Sequence, residues 1–433
     1  MPAVPNDRDA HAKSDITDIQ GRSKTMRHFG KLATTAALPL WLWHSAAIAG
    51  EVTWWAPEFG ADRAEELAAA FEEQNPDITV NIERVVPNGL QNRLLVALRS
   101  GNTPDLVDIA NGWTAPFATT GGLMALDEAV AGLGVELDDF LPAALDTATV
   151  DGQLYALPFR AEAHAMIYNK GMFEAAGLDP DAFPETWEEL RSAAEALTTG
   201  DTFGMGIAGG GEVSNTIFRS LPFLWMNGGG VLNEANDQSI LAQPESVEAV
   251  EFYTGFLDDG LAPPSTLEND GNALRRLFIA NKIAVYQSGQ FDLRSIAEEN
   301  PDIDIGTALL PHPEGKERSA ILGGWNFAVP DAARNKEDAL KLLAFLAEPE
   351  NMGFYTDTFP ARQSAMSMER FQDPQLEPFR DMLQYARRQP PLENWVQITQ
   401  VYFDSIQEIL LGQAEAAEIL DEASQQIDGL IQK

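Results

Sequence analysis

Few side chains in this sequence could carry out nucleophilic or redox chemistry. Cysteine is absent from all 433 residues, which excludes disulfides, thiolate catalysis, thiolate metal sites and a lipid-modified N-terminal cysteine. Beyond residue 50 the histidines are His164 and His312, too few for a histidine-rich metal site. We therefore expect no catalytic residues, no metal site and no cofactor.

Carboxylates are abundant, with 66 Asp and Glu residues. A secreted glycoside hydrolase would need a pair of them, one as acid and one as base or nucleophile. The sequence singles out no such pair, so a hydrolase is kept only as an alternative.

The glycine-rich motifs of nucleotide-binding proteins are poorly represented. Gly204, Gly206 and Gly209 match the spacing of the dinucleotide fingerprint, but a lone match is weak evidence. The further glycines at 210 and 211 are typical of a flexible turn. Neither the phosphate-loop pattern GxxxxGK nor the nucleophile pattern GxSxG occurs. No nucleotide site is assigned.

The chain is strongly acidic, with 29 Lys and Arg against 66 Asp and Glu and a formal net charge of −37. Such a field opposes nucleic acids and anionic membrane surfaces, whose partners carry basic stripes. We expect no nucleic-acid partner. An acidic surface that keeps the protein in solution accounts for the charge.

Residues 26–49 have the pattern of a secretory signal peptide. A basic start at Met26 leads into an apolar stretch over 32–43 and then into small residues ending at Ala49. The apolar stretch is much shorter than the ~20 residues of a membrane helix. We expect cleavage after Ala49, and we interpret the polar residues 1–25 as the product of an upstream start codon.

Strand and helix patterns alternate after this segment. Apolar alternation and helical spacing predict strands over 52–55, 78–85 and 106–110 and helices over 61–73 and 91–99. Thr186 begins a capping box for a helix that ends near 198, and 336–347 is a second amphipathic helix. This alternation predicts a mostly parallel α/β sheet, with ligand contacts beyond the carboxyl ends of its strands.

Eight segments, in this order, resemble the solute-binding proteins of carbohydrate ABC importers, the group of the maltodextrin- and trehalose-binding proteins. The resemblance extends over residues 51–433. Its landmarks are AAAFEEQNPDITVNIE (68–83), SGNTPDLVDI (100–109), DGQLYALPF (151–159), IYNKGMFEAAGLDP (167–180), TWEEL (186–190), GGWNFAVP (323–330), KEDALKLLAFLAEPEN (336–351) and PARQS (360–364).

The resemblance implies a periplasmic-binding-protein fold: two discontinuous α/β lobes joined by a three-crossing hinge, with the ligand cleft between them. The crossings are expected near 157–163, 305–311 and 359–360. The N-terminal lobe would comprise 50–158 plus 307–356, and the C-terminal lobe 159–306 plus 357–433.

The same resemblance implies a function in transport rather than catalysis. The chain is expected to be the periplasmic substrate-binding subunit of an ABC importer that captures a neutral sugar or oligosaccharide. Its partners would be the permease subunits of the membrane and a separate ATPase subunit, and the chain itself would be a monomer without a lipid anchor. A polyol- or glycerol-phosphate-binding protein of the same fold is the alternative within the binding class.

A sugar presents an apolar ring face and a rim of hydroxyls, so its site needs aromatic plates and hydrogen-bonding side chains. The candidate plates are Trp55, Trp113, Trp225, Phe291 and Trp325. The candidate polar groups are Glu58, Asn111, Arg160, Glu162, Asn227, Ser288, Gln290, Asn326 and Arg362, and Gly324 would let the backbone approach a ligand. Each tryptophan could instead belong to the core, and each charge to a salt bridge.

The resemblance ranks some of these candidates above others. Trp113 and Trp325 fall in what we take to be loops where the family places ligand contacts. Glu58 resembles the family's acid after the first strand, and Glu162 falls where many relatives carry a hinge-side Asp. Arg160 departs from the aromatic residue common at its position.

Overall fold

The computed structural model describes residues 50–87 and 89–432. The predicted signal peptide and the residues before it lie outside this part of the chain. Within it, no helix combines the length and apolar character that a membrane span requires.

The described residues form fourteen strands and seventeen α-helices. The strands are β1 (Gly50–Pro57), β2 (Ile78–Val85), β3 (Leu106–Ala110), β4 (Thr149–Val150), β5 (Gln153–Leu154), β6 (Leu157–Glu162), β7 (Ala165–Asn169), β8 (Phe203–Gly206), β9 (Ile283–Ser288), β10 (Ile305–Ala308), β11 (Ala320–Ile321), β12 (Gly323–Ala328), β13 (Phe359–Pro360) and β14 (Ala386–Arg387).

The helices include two long C-terminal ones that pack on each other. They are α1 (Ala61–Gln74), α2 (Leu90–Ser100), α3 (Thr114–Thr119), α4 (Asp127–Gly132), α5 (Pro142–Ala148), α6 (Lys170–Ala175), α7 (Trp187–Leu197), α8 (Val213–Asn227), α9 (Pro244–Asp258), α10 (Gly271–Ile279), α11 (Phe291–Glu299), α12 (Lys336–Leu346), α13 (Pro349–Tyr355), α14 (Gln363–Met366), α15 (Glu377–Met382), α16 (Trp395–Leu410) and α17 (Ala416–Ile431).

The local sequence patterns predict several of these elements to within a residue or two. The strands expected at 78–85 and 106–110 have those bounds, and the helices expected at 61–73 and 336–347 end one residue away from them. The capping box at Thr186 is also confirmed, because its hydroxyl accepts from the Glu189 N–H and the Glu189 carboxylate accepts in return.

The larger sheet has six strands in the order β13-β6-β12-β3-β1-β2. Parallel pairing is confined to β1 with its neighbours β2 and β3, while β12 and β13 pair antiparallel. The expectation of a mostly parallel sheet is therefore wrong. The crossover helices α1 and α2 link β1, β2 and β3, as parallel neighbours require, whereas β12 reaches this sheet only after the chain has passed through the second sheet.

The second sheet has four strands in the order β10-β7-β9-β8. The chain leaves the first sheet at the end of β6 and enters the second sheet at β7, with two residues between them. It returns between β10 and β12, so that β12 inserts between β3 and β6. Consecutive stretches of the chain thus alternate between two sheets.

A buried carboxyl group lies at the centre of the six-stranded sheet. Asp108 is fully buried on β3, where its Oδ1 accepts from Trp54 Nε1 at 2.7 Å and its Oδ2 accepts from the Tyr355 hydroxyl at 2.5 Å. Burial raises the pKa of Asp108 from its ordinary 3.8 to about 7, although both hydrogen bonds act to lower it. These contacts join β1, β3 and the end of α13.

Because the pKa of Asp108 is higher in the folded than in the unfolded chain, folding should lose stability as pH rises from about 4 to about 7. Asp108→Asn keeps the hydrogen-bonding shape without a charge. The free energy of unfolding of Asp108→Asn, relative to that of the wild type, should therefore increase by about 1.4 kcal/mol per pH unit across this window. Urea unfolding at a series of pH values measures the difference.

The matched control is Asp258→Asn, at an exposed position on α9. Its stability should follow the wild-type pH profile. Parallel profiles for Asp108→Asn and the wild type would contradict the raised pKa.

Candidate ligand-binding site

A groove of about 460 Å³ lies between the six-stranded sheet and the first turns of α8 and α16. Its sheet side is formed by the end of β3, the turn that follows β3, and β12. Its opposite side is formed by residues 212–218 and 389–400. The carboxyl end of β3 thus opens onto the groove, where α/β sheets bind their ligands.

Two tryptophans line the sheet side of the groove. The rings of Trp113 and Trp325 meet edge to face, with centroids 5.7 Å apart and planes at 70°. Phe59 packs in the same way against Trp325 at 5.1 Å, and the guanidinium of Arg160 lies 4.8 Å from the Phe59 ring centroid. Edge-to-face packing fixes each ring against its neighbour. The result is a supported aromatic surface within the groove.

Trp325 belongs to a strand, so the expectation that it lies in a loop is wrong. It pairs with Ala110 of β3 on one side and with Arg160 of β6 on the other. Alternate residues of a strand point to opposite faces, so Trp325 reaches the groove while Asn326 is buried. The Asn326 Nδ2 donates to the Thr114 hydroxyl at 3.0 Å.

Two glycines let β12 approach β6 closely. Gly324 has φ +145°, and a β-carbon there would overlap the carbonyl oxygen of Arg160. A β-carbon on Gly323 would lie 2.7 Å from Cγ of Glu162. Both glycines also line the groove. Their chief structural effect is the strand pairing that places Gly323 opposite Glu162 and Trp325 opposite Arg160.

Glu162 is held in the groove by an ion pair. Arg160 Nη2 donates to Glu162 Oε2 at 2.6 Å, and Arg160 Nη1 donates to Asp357 Oδ1 at 2.7 Å. Burial alone would lower the pKa of the guanidinium, but the charges of Glu162 and Asp357 outweigh it and the pKa is raised. Arg160 is therefore a fixed cation that orients Glu162 and is itself neutralised.

A smaller inner pocket of about 190 Å³ adjoins the groove along Glu162, Ser214 and Phe218. Its remaining lining comes from β9 and from the first turns of α8, α10 and α11. His164 lies in its wall against Phe218 and Phe291, with ring centroids 5.6 and 6.2 Å away. This pocket is more polar than the groove.

Buried charges in the inner pocket are linked by hydrogen bonds. The Asp292 carboxylate accepts from Arg275 at 2.9 Å and from the Ser288 hydroxyl at 2.7 Å. Burial and then the positive charge of Arg219 hold the pKa of His164 well below its ordinary range. His164 is therefore a neutral imidazole at physiological pH.

The family model of the bacterial extracellular solute-binding proteins matches residues 60–353. The chain belongs to this family. Such proteins bind their solutes and are not enzymes, so the glycoside hydrolase alternative is excluded.

Relatives match this binding protein over most of its length. A binding protein of Brucella abortus is 29% identical over 93% of this chain and 98% of its own. The mannitol-binding protein of Pseudomonas aeruginosa is 30% identical over 67% of each chain.

Among solved structures, an ABC transporter solute-binding protein of Thermotoga lettingae, bound with α-D-tagatose, superposes with a TM-score of 0.79 at 26% identity. The superposition covers 88% of this chain and all of the other. The mixed α/β fold is thus that of the ABC transporter binding proteins.

Several residues predicted from the sequence line the two cavities of the binding protein. Those in the groove are Asn111, Trp113, Glu162, Gly324 and Trp325. Those in the inner pocket are Glu162, Ser288 and Phe291. Asn111 is held in place because its Nδ2 donates to the carbonyl of Leu322 at 3.0 Å.

Other predicted residues of the binding protein do not line either cavity. Trp55 is buried, with the Arg93 guanidinium 3.9 Å from its ring centroid. Asn227 lies at the end of α8, where its Nδ2 donates to the Glu245 carbonyl. The remaining members of this set are Glu58, Arg160, Trp225, Gln290, Asn326 and Arg362.

Arg362 illustrates why such residues lie away from the groove: its side chain bonds to other parts of the chain. Its Nε donates to Asp139 at 2.7 Å and its Nη1 to the Ala347 carbonyl at 2.8 Å. It borders a separate surface cavity that Phe71 and Lys341 also line. The ion pair of Arg362 with Asp139 holds the chain after β13 against an earlier loop.

Sequence reasoning did not select Phe59, His164, Phe218, Arg219 and Trp395. Phe59 directly follows Glu58 at the end of the first strand. Its position after a strand end would have been sufficient to predict that it lies near the site. Phe218 and Arg219 lie within the helical pattern of α8, where nothing in the local sequence distinguishes a groove-facing residue from a core residue.

Gly324→Ala should strongly destabilise the binding protein, because the added methyl group meets the Arg160 carbonyl and the backbone has a positive φ. A loss of about 3 kcal/mol or more in the free energy of unfolding is expected. Urea unfolding monitored by tryptophan fluorescence measures it.

Gly112→Ala is the control, since Gly112 lines the same groove and its β-carbon would have no atom within 4 Å. Its stability should change by less than about 1 kcal/mol. Equal unfolding midpoints for the two variants would refute the close approach of β12 to β6.

Proposed function

We propose that this binding protein captures a neutral sugar or oligosaccharide and delivers it to the permease of an ABC importer. The observation that carries the proposal is the pairing of Trp113 and Trp325 in a groove that Asn111 and Glu162 also line. Aromatic faces suit the C–H face of a sugar ring, and amide and carboxylate groups suit its hydroxyls.

The ligands named for relatives agree with this chemistry. The solved structure of the Thermotoga lettingae protein contains α-D-tagatose, and the Pseudomonas aeruginosa relative is named for mannitol. Both molecules are neutral and carry several hydroxyl groups. A neutral polyhydroxylated solute is therefore the class of ligand that we assign.

The ion pairs of the two arginines predicted from the sequence favour a neutral ligand over a polyol phosphate. Arg160 and Arg362 were the cations that could have favoured a phosphate. Arg160 is paired with Glu162 and Asp357, and Arg362 is paired with Asp139. A phosphate would have to compete with these carboxylates, whereas a hydroxyl can join them.

We further propose that the protein works by closing two lobes over the solute. The lobes would comprise 50–158 plus 307–356 and 159–306 plus 357–433, joined by three crossings near 157–163, 305–311 and 359–360. The alternation of the chain between two sheets supports this division. Closure would bury the solute and present a composite surface to the permease.

The proposed compartment is the periplasm, entered by means of a signal peptide over 26–49. Since the chain contains no cysteine, an N-terminal lipid anchor is not part of the proposal. The proposed partners are the permease subunits and a separate ATPase subunit, with the binding protein itself a monomer.

A melting-shift screen tests the class of ligand. Neutral sugars, polyols and phosphorylated polyols are each added to the purified protein. A ligand at 100 times its Kd stabilises the folded state by about 2.7 kcal/mol, so at least one neutral sugar should raise the Tm measurably. If only phosphorylated polyols did so, the alternative ligand class would replace the proposal.

Trp325→Ala should weaken binding of the sugar found in that screen by about 5-fold to 150-fold. The estimate corresponds to about 1 to 3 kcal/mol for loss of one stacked ring, by analogy with bases stacked on aromatic side chains. Calorimetric titration measures the Kd, and thermal melting of the same variant measures the cost to the fold.

Trp225→Ala is the matched control, because Trp225 is a partly exposed tryptophan that lines neither cavity. Its Kd should equal that of the wild type. Unchanged affinity in Trp325→Ala together with a sharply lowered Tm would show that Trp325 serves packing rather than recognition.

A further inference from the structure

His164 is a buried polar side chain in the wall of the inner pocket. It lies on the two-residue link between β6 and β7, where the chain passes from the first sheet to the second. Only 6% of it is exposed, and its Nδ1 is enclosed without a hydrogen-bond partner among the described residues. An enclosed polar atom without a partner destabilises a fold, whereas an apolar side chain of similar shape would not. Packing alone therefore does not explain a histidine at this position.

The two nitrogen atoms of this imidazole have different surroundings. Nδ1 is closed off from the pocket, but Nε2 is not enclosed in this way, and within the described residues it makes no hydrogen bond either. The rings of Phe218 and Phe291 pack against the imidazole, with centroids 5.6 and 6.2 Å away, and restrict its orientation. The side chain thus presents one polar atom, Nε2, to the inner pocket.

The imidazole is neutral, so it carries one N–H. Its low pKa, caused by burial and then by the charge of Arg219, keeps it in this form. In a neutral imidazole one nitrogen donates and the other accepts. The tautomer with the proton on Nε2 is the more stable one of a free histidine side chain, and Nδ1 has no acceptor among the described residues that would favour the other. His164 therefore offers an N–H donor to the pocket.

Glu162 supplies a complementary acceptor in the same pocket. Both hydrogen bonds that Arg160 donates to Glu162 end on Oε2, so Oε1 is not used by this ion pair. A carboxylate accepts but does not donate, whereas the Nε2–H group donates but does not accept. A hydroxyl does both. Hydroxyl groups are therefore the ligand groups that match both side chains.

We infer that His164 is a specificity-determining residue of the binding protein, whose Nε2–H donates to a hydroxyl oxygen of the solute beside Glu162 in the inner pocket. This inference rests on the proposed function and deepens it, because it names a side chain that distinguishes a hydroxyl from a hydrogen atom at one carbon of the solute. Removal of the ring should weaken binding without weakening the fold, since the fold forms no hydrogen bond with Nδ1.

Calorimetric titration and thermal melting of the same variants test the inference. The probe is whichever of tagatose, mannitol, glucose, galactose, mannose and maltose raises the Tm of the wild type most. His164→Leu should raise its Kd by about 5-fold to 150-fold, the effect of leaving a buried hydroxyl without a partner, while the Tm equals or exceeds that of the wild type. His164→Gln, whose Nε2 can replace the imidazole Nε2 as donor, should stay within about 3-fold of the wild-type Kd.

His312→Gln is the matched control, because His312 lines neither cavity and its Nδ1 lies 2.9 Å from the Pro313 carbonyl oxygen. Its Kd should equal that of the wild type. An unchanged Kd in His164→Leu would overturn the inference and leave the proposed function intact. Equal losses of affinity in His164→Leu and His164→Gln would show that ring shape rather than the N–H group is recognised, and would overturn it as well. Binding of no probe would count against both.

Monodeoxy analogues of the probe identify the hydroxyl that His164 contacts. One analogue should bind the wild type at least about 5-fold more weakly than the parent compound, and this loss should shrink by at least about 3-fold in His164→Leu. Such a cycle isolates the contact from a change in packing or stability. Equal losses in the wild type and the variant for every analogue would overturn the inference, whatever the Tm of the variant.

Imidazole ¹⁵N resonances report the tautomer. The signals of His164 are assigned by their loss from the spectrum of His164→Gln. Before the probe is added, the wild type should show a proton-bearing Nε2 and an unprotonated Nδ1, and the probe should shift the Nε2 signal. A proton on Nδ1, or an Nε2 signal that does not respond to a bound probe, would overturn the assignment of Nε2 as the donor.

Discussion

The insertion of β12 between β3 and β6 is the constraint on which the site depends. This strand brings Trp325 against Trp113, in the turn that follows β3, and pairs its Gly323 with Glu162 at the end of β6. The pairing is possible because Gly324 has no side chain to meet the Arg160 carbonyl. A strand that arrives late in the chain thus assembles a groove from residues more than 150 positions apart.

The arginines around the two cavities have nearby partners, although the protein as a whole is acidic. The chain has a net charge of −37, yet the arginines around the two cavities are paired or bonded to backbone carbonyls. Arg160 meets two carboxylates, and Arg219 holds β9 to α8. The ion pairs of Arg160 orient Glu162, a hydrogen-bonding group, and leave no unpaired cation at that position for a charged ligand.

Local patterns predicted much of the secondary structure and the family, because short-range periodicity and capping act within a few residues. The strands over 78–85 and 106–110 and the capping box at Thr186 are of this type. The direction of strand pairing was not predictable in the same way. β12 and β13 are antiparallel because of the route the chain takes between sheets, and no local pattern records that route.

By itself, the sequence determined the absence of cysteine chemistry, the acidic charge, the alternation of strands and helices, and a set of aromatic and polar candidates. Tertiary structure decided which candidates meet. Trp113, Trp325 and Glu162 line one groove, whereas Asn227 and Arg362 bond elsewhere. The reason is physical: a side chain's partners are set by contacts across long separations, such as the 197 positions between Arg160 and Asp357.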